Sequence, residues 1–168
     1  MNAFLTTHKR RLAKRSDSAC KSSPGLRIRR ILVPVDFSPG SGAALEHARR
    51  IGRTFGSRVT AFHVVEMDPG WLQLGARDYP LLEQELRENQ CRRLVAFAGS
   101  GPHGPSACVV RIGRAAEEIV RFADETSTDL IVISTRGLNG LRRAFIGSIA
   151  EKVTRHAHCP VWIVPLRK

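Results

Sequence analysis

Five short apolar runs, separated by segments with helical spacing, constrain the fold of this chain more than any other sequence feature. The runs have the length of strands and lie at residues 31–35, 59–65, 108–112, 129–134 and 161–164. Several are apolar throughout, which is typical of strands buried on both faces of a parallel sheet. Because parallel connections cross over the sheet in the right-handed sense, helices must cover both faces. The pattern predicts a doubly wound, three-layer α/β/α domain.

The helical segments support this prediction. In the segment 41–55, apolar residues recur on one face, Ser41 is the predicted N-cap, and Gly56 ends the helix. Further helices are predicted at about 80–97, from Ala115 onward after a turn at Gly113, and at about 147–155. The last apolar run follows only a short helix and is expected at a sheet edge. Since an edge strand needs protection, we expect a homodimer formed through residues 161–164.

Charge divides the chain into two parts. The 168 residues carry a net charge of +12, yet residues 1–30 hold nine of the 27 Lys and Arg residues and one acid, Asp17. The remainder therefore has a net charge of only +4. We expect residues 1–27 to form a basic, disordered arm and residues 28–168 to form a single domain. Such an arm could contact nucleic acid or acidic lipid nonspecifically, or act as a transit peptide.

The composition favours a cytoplasmic protein that does not span a membrane. No apolar run approaches the roughly 20 residues that a membrane-spanning helix requires. The four cysteines form no CxxC pair and follow no apolar signal segment, so we expect reduced thiols. Cys159 lies close to His156 and His158, but this spacing matches no zinc pattern, and no metal site is predicted there.

The segment from Ser134 to Ser148 is the strongest candidate for a binding site. Gly137 and Gly140 allow the backbone to approach a ligand closely, and Gly147 and Ser148 begin a helix whose free N–H groups favour an anion. Nearby arginines, including Arg136, add positive charge. Ligands of open parallel sheets bind beyond the carboxyl ends of the strands, where this segment begins. The spacing fits a phosphate site, or alternatively a surface loop whose glycines serve only its turns.

In combination, these residues resemble the universal stress protein family. The resemblance rests on residues 31–38 (ILVPVDFS), 63–64 (HV), 113–119 (GRAAEEI), 130–141 (LIVISTRGLNGL), 146–153 (IGSIAEKV) and 156–161 (HAHCPV). It covers about residues 30–165. It implies a five-stranded parallel sheet of order 3-2-1-4-5, as in adenine-nucleotide α-hydrolase-like folds, and a dimer formed through the last strand.

The resemblance also implies ATP binding. Family members that bind ATP carry glycine, two residues, glycine, nine residues, glycine, and then Ser or Thr. Here Gly137, Gly147 and Ser148 match this motif, and Ser134 replaces its first glycine. The implied nucleotide site comprises Pro34, Val35, Asp36, Val64, Ser134, Arg136, Gly137, Asn139, Gly140, Gly147, Ser148 and Ile149.

Individual roles follow from the same resemblance, with structural alternatives beside them. Asp36 would lie near the ribose or a phosphate-bound Mg²⁺, or would cap its own turn. Val64 would contact adenine through its backbone as well as serve the core. Arg136 would face the phosphates or remain solvated, and His63 is expected to have a neutral role in the core or at a dimer contact.

These observations favour an ATP-dependent regulator in the stress response over an enzyme. The sequence shows no convincing pair of nucleophile and base, so slow ATP hydrolysis or autophosphorylation is the most catalysis that we expect. Two alternatives are a weak ATPase or phosphotransferase, and a protein associated with nucleic acid through its basic arm.

Overall fold

A computed structural model describes residues 27–66, 79–99, 104–135 and 147–165. Strands and helices alternate along these residues. The strands are β1 (Arg30–Pro34), β2 (Arg58–Val65), β3 (Ala107–Ile112), β4 (Leu130–Ser134) and β5 (Val161–Val164). The helices are α1 (Pro39–Phe55), α2 (Tyr79–Ala98), α3 (Ala115–Glu125) and α4 (Ser148–His156). The predicted arm, apart from residue 27, lies outside the described residues.

The five strands form one parallel sheet in the order β3-β2-β1-β4-β5. This order confirms the predicted doubly wound fold. The chain first builds outward from β1 to β2 and β3, and then returns to the other side of β1 for β4 and β5. The strand order therefore reverses between β1 and β4, whose paired residues are Ile31 with Leu130 and Leu32 with Ile131.

Side chains of the sheet divide between two cores. Alternate residues of a strand point to opposite faces, so an all-apolar strand contributes to both. On β1, Ile31 and Val33 pack on the face covered by α1 and α2, with Leu45 and Leu94. Leu32 packs on the other face, where α3 and α4 contribute residues including Ile119 and Val153. This division explains why the buried strands show no polar alternation.

Helix α1 begins three residues earlier than the sequence predicted. Ser38, rather than Ser41, is its N-cap, with Pro39 at the first helical position. The Ser38 hydroxyl accepts a hydrogen bond from the Ser41 backbone N–H at 3.2 Å. Proline suits this position because its missing N–H would have no helical partner there. The predicted end is confirmed, since Gly56 closes the helix with a φ of 68°.

Strand β5 lies at one edge of the sheet, as predicted. Within the described residues, only β4 pairs with it. Its Trp162 side chain is 50% exposed, which is unusual for the largest apolar residue type. None of the described helices is long and apolar enough to cross a membrane.

Candidate functional site

The reversal of strand order brings the carboxyl ends of β1 and β4 side by side. Beyond β1, the chain continues through Val35 and Asp36, and β4 ends at Ser134, followed by Thr135. Val35 stays close to the sheet, because its N–H donates to the Phe62 carbonyl of β2 at 2.7 Å. Ligands of doubly wound sheets bind in the crevice at such a reversal point. The predicted site residues of β1 and β4 therefore lie at the expected edge.

Asp36 holds the turn between β1 and α1. Its Oδ1 atom accepts hydrogen bonds from the backbone N–H of Ser38 at 3.1 Å and from the Ser38 hydroxyl at 2.6 Å. This is the turn-capping role that the sequence left open for Asp36. Asp36 is partly buried at this turn.

A small aromatic cluster supports this turn, and sequence reasoning missed it. Phe37 has a left-handed φ of 63°, which is uncommon for a residue with a side chain. Its ring lies 4.5 Å from the His63 ring and 5.6 Å from the Phe97 ring. The Arg93 guanidinium lies 4.0 Å from the Phe37 ring centroid, a cation–π distance. These contacts hold the backbone beside Asp36 in a strained conformation.

His63 links this cluster to the end of β1. Its Nδ1 lies 2.7 Å from the Val35 carbonyl oxygen, to which it donates. Burial lowers the pKa of His63 below its ordinary value, and the Arg93 charge acts in the same direction. The hydrogen bond to Val35 and the Asp36 charge oppose this decrease. A neutral imidazole in a packing role agrees with the prediction for His63.

Gly147 ties the start of α4 to the end of β4. Its N–H donates to the Thr135 carbonyl at 2.8 Å. A Cβ at this position would lie 3.1 Å from that same oxygen, closer than most real contacts of a Cβ. This close contact therefore favours glycine at position 147. The hydrogen bond places the first turn of α4 beside the carboxyl end of the sheet.

The amino end of α4 differs from those of α1 and α3. Ser38 caps α1, and the Glu66 carboxylate accepts a hydrogen bond from Ala115 N–H at the start of α3, at 3.0 Å. The N-cap of helix α4 is Gly147, which offers no side chain as a cap. Its exposed first turn contains Ser148 and Ile149, whose side chain is 38% exposed. Uncapped N–H groups at a helix start attract anions.

The structure thus gathers a large part of the predicted site. The described members at the carboxyl edge come from β1 and its turn, the end of β2, the end of β4 and the start of α4. They are Pro34, Val35, Asp36, Val64, Ser134, Gly147, Ser148 and Ile149. Val64 is half-buried and packs against the core under α3 and α4. Arg136, Gly137, Asn139 and Gly140 lie outside the described residues.

No cluster of three metal-binding side chains occurs among the described residues. The thiols of Cys91, Cys108 and Cys159 are all free and half-buried. Burial raises the pKa of Cys108 and Cys159, so both favour the uncharged thiol. His158, next to Cys159, instead lies 3.2 Å from the Asp124 carboxylate.

Comparison with known proteins identifies the family. The model of the universal stress protein family matches residues 27–165. The chain belongs to the universal stress protein family. A relative within it, universal stress protein MJ0531 of Methanocaldococcus jannaschii, is 34% identical over 143 residues. That alignment covers 81% of each chain.

Solved structures of universal stress proteins share the fold. Protein MJ0577 of Methanocaldococcus jannaschii superimposes with a TM-score of 0.72 at 23% identity, over 84% of this chain and 98% of that chain. A universal stress protein solved in complex with cAMP superimposes with a TM-score of 0.53 at 22% identity, over 83% of this chain and 98% of the other. These likenesses agree with the strand order described above.

Proposed function

We propose that this protein binds an adenine nucleotide, ATP with Mg²⁺, at the carboxyl edge between β1 and β4, and that occupancy of this site regulates a stress response. The proposal rests on the family membership and on the hydrogen-bonding groups at this edge of the sheet. The cAMP complex of a family member supports the adenine class.

The observation that carries the proposal is the uncapped start of α4. Among the described residues, no side chain caps the first turn of α4, whereas α1 and α3 both begin with a side-chain acceptor. The hydrogen bond from Gly147 to Thr135 orients this turn along the reversal point of the sheet. Phosphate oxygens would accept from the N–H groups there and from the Ser148 hydroxyl.

The nucleoside would lie over the ends of β1 and β2. Val35 and Val64 flank this part of the edge, and Pro34 is buried beneath it. Backbone groups of Val64 would form hydrogen bonds with the adenine base, and the Asp36 carboxylate would accept a hydrogen bond from a ribose hydroxyl. The aromatic packing of Phe37 against His63 would hold the Asp36 turn in place for this contact.

Mg²⁺ would be bound together with the phosphates. The described residues contain no group of three metal-binding side chains, so the ion would depend on the phosphates for most of its ligands from this part of the site. The Asp36 carboxylate lies between β1 and α1 at this edge, and Mg²⁺ is commonly held by one or two carboxylates plus substrate phosphates. The bound ion would neutralise phosphate charge beside the Asp36 carboxylate.

Regulation requires that the nucleotide prefer one conformation of the protein over another. Residues 134–148 join β4 to α4, and the phosphates would contact both ends of this stretch. Binding would therefore favour one arrangement of the connecting segment, and a partner protein would recognise the altered surface.

Isothermal titration calorimetry of ATP with excess Mg²⁺ tests the proposal. We expect saturable binding by the wild type and weaker binding of GTP, whose base differs in its hydrogen-bonding groups. Gly147→Val should abolish binding, since its side chain would crowd Thr135 and displace the first turn of α4. Ser148→Ala should weaken binding about threefold to tenfold through the loss of one hydrogen bond.

Thr154→Val near the other end of α4 is the matched control. The Thr154 hydroxyl donates to the Ala150 carbonyl within the helix, so its loss tests the integrity of α4 without touching the site. We expect ATP affinity to be unchanged. Absence of ATP binding by the wild type, or full binding by Gly147→Val, would overturn the proposal.

A further inference from the structure

The opposite edge of the sheet carries a second distinctive surface. All five strands are parallel, so their amino ends lie together, away from the nucleotide edge. The turn after α1 is tied to the start of β1, because the Ser57 hydroxyl donates to the Ile28 carbonyl at 2.6 Å. The Arg58 N–H also donates to the Arg29 carbonyl at 2.7 Å. The start of β1 and the turn after α1 are therefore adjacent at the amino end of the sheet.

This surface is rich in exposed arginines. Arg27, Arg29, Arg53 and Arg58 are all exposed, and together with Phe55 they define what we call the amino-end surface. Within the described part of the chain, no carboxylate pairs with the guanidinium groups of Arg27, Arg29 or Arg58. Arg53 reaches Glu46 only at 4.0 Å, the outer limit for an ion pair.

The acids near this surface are already engaged. Glu46 is shared among Arg49, Arg50 and Arg53, at 3.8, 3.2 and 4.0 Å. The Asp129 carboxylate accepts from the backbone N–H groups of Arg29 and Arg30, at 2.8 and 2.9 Å. Asp129 thus fixes the backbone of β1 while the Arg29 side chain extends into solvent. The surface keeps a net positive charge.

The strand register adds a like-charge pair. Arg30 of β1 lies directly beside Arg58 of β2 in the parallel register. Like charges at paired positions destabilise a sheet. The Arg30 guanidinium is held by the Thr126 carbonyl at the end of α3, whereas Arg58 has no such acceptor among the described residues. A local cost of this kind commonly marks a functional surface.

Phe55 distinguishes this surface from a surface that carries positive charge alone. The residue ends α1 and is 46% exposed, two residues after Arg53 and three before Arg58. A single exposed ring among arginines provides too little apolar area to insert into a membrane, which requires an extended apolar face. One ring is sufficient for a nucleic-acid base to stack on, with guanidinium groups binding the flanking phosphates.

We propose that the amino-end surface binds single-stranded nucleic acid, with Phe55 stacking on a base and Arg27, Arg29 and Arg58 contacting the phosphates. The charge of the preceding chain is complementary to the same ligand, since residues 1–26 contain six Lys or Arg residues and one acid. The inference assigns base recognition to the folded domain, whereas the sequence pointed only to its arm.

Fluorescence anisotropy with the full chain and a labelled 20-nucleotide oligo(dT) tests the inference, without added ATP. The variant Arg27→Gln/Arg29→Gln/Arg58→Gln should lower affinity about tenfold or more, and the slope of log K against log salt should fall by about two. Phe55→Ala should weaken binding about tenfold, while Phe55→Tyr should retain it, because only the aromatic face is needed.

A matched variant removes the same charge elsewhere. Arg92→Gln/Lys152→Gln/Arg155→Gln changes three exposed residues of α2 and α4, and we expect little loss of affinity from it. Equal losses in both triple variants would mean that only net charge matters and would overturn the inference. Unchanged affinity in both triple variants would also overturn the inference, because residues 1–26 would then be sufficient to bind the oligonucleotide.

Two further measurements complete the test. Thermal melts establish whether each variant is folded. If the triple variant is unfolded, the comparison of Phe55→Ala with Phe55→Tyr still tests the inference. Tighter binding to phosphatidylserine vesicles than to oligo(dT), or no oligo(dT) binding by the wild type, would overturn the inference. Because ATP is absent, failure of the nucleotide proposal would leave these results unaffected.

Discussion

At the scale of single residues, Gly113 shows how the backbone at a turn selects an amino acid. It joins β3 to α3 with a φ of 151°, which residues with a Cβ rarely adopt, and its N–H donates to the Val65 carbonyl at 3.0 Å. A Cβ here would lie 2.9 Å from Cγ of Glu118. That buried carboxylate pairs with Arg121 at 2.9 Å and has little room to move.

We therefore expect Gly113→Ala to lower the free energy of unfolding by about 1–3 kcal/mol. The cost combines backbone strain with displacement of Glu118. Urea denaturation followed by circular dichroism would measure it.

Gly42→Ala is the matched control for that substitution. Gly42 lies inside α1, and a Cβ there would meet only Cζ of Phe97 at an ordinary 3.5 Å. Alanine should stabilise the protein by about 0.5–1 kcal/mol, since glycine weakens a helix interior. If both substitutions had the same sign, the strain assigned to Gly113 would be wrong.

At the scale of elements, the sequence predicted which segments are helices and strands better than where they begin. The apolar runs located all five strands because burial on both faces leaves a continuous apolar signal. Ser41 was chosen as the cap of α1 because it directly precedes the apolar face, yet Pro39 at the first helical position favours Ser38. The position of the candidate site at the carboxyl edge followed from parallel topology. The cluster of Phe37, His63 and Arg93 did not, since it joins three segments far apart in the chain.

Replacement of the cap of α1 should have a measurable cost. Ser38→Ala removes the acceptor for Ser41 N–H and the donor to Asp36 Oδ1, so we expect a loss of about 1 kcal/mol in thermal unfolding. Ser38→Thr keeps the hydroxyl and should retain most of the stability that Ser38→Ala loses. Thr54→Ala at the other end of α1 should change stability by less than about 0.5 kcal/mol. A cost at Thr54 as large as that at Ser38 would contradict the assigned cap.

At the scale of the whole molecule, the homodimer that the sequence predicts can be tested at the edge strand β5, where Trp162 is exposed. We expect light scattering after size exclusion to show a dimer of the wild type. Trp162→Glu places a charge on the exposed edge and should shift the protein to monomer.

Val95→Glu is the control for the dimer prediction. Val95 is 41% exposed on α2, away from β5, so a charge there should leave the dimer intact. Monomeric wild-type protein, or equal dissociation of both variants, would argue against pairing through β5.

Helix α1 runs from one end of the sheet to the other. It begins at the Asp36–Ser38 turn on the carboxyl edge and ends at Phe55 on the amino-end surface. Its 17 residues span about 25 Å, more than the length of a nucleotide. A small molecule bound at the carboxyl edge would therefore not touch a base stacked on Phe55. Any influence of one ligand on the other would have to be transmitted through the protein by a conformational change. Helix α1 connects the two binding surfaces and could transmit it.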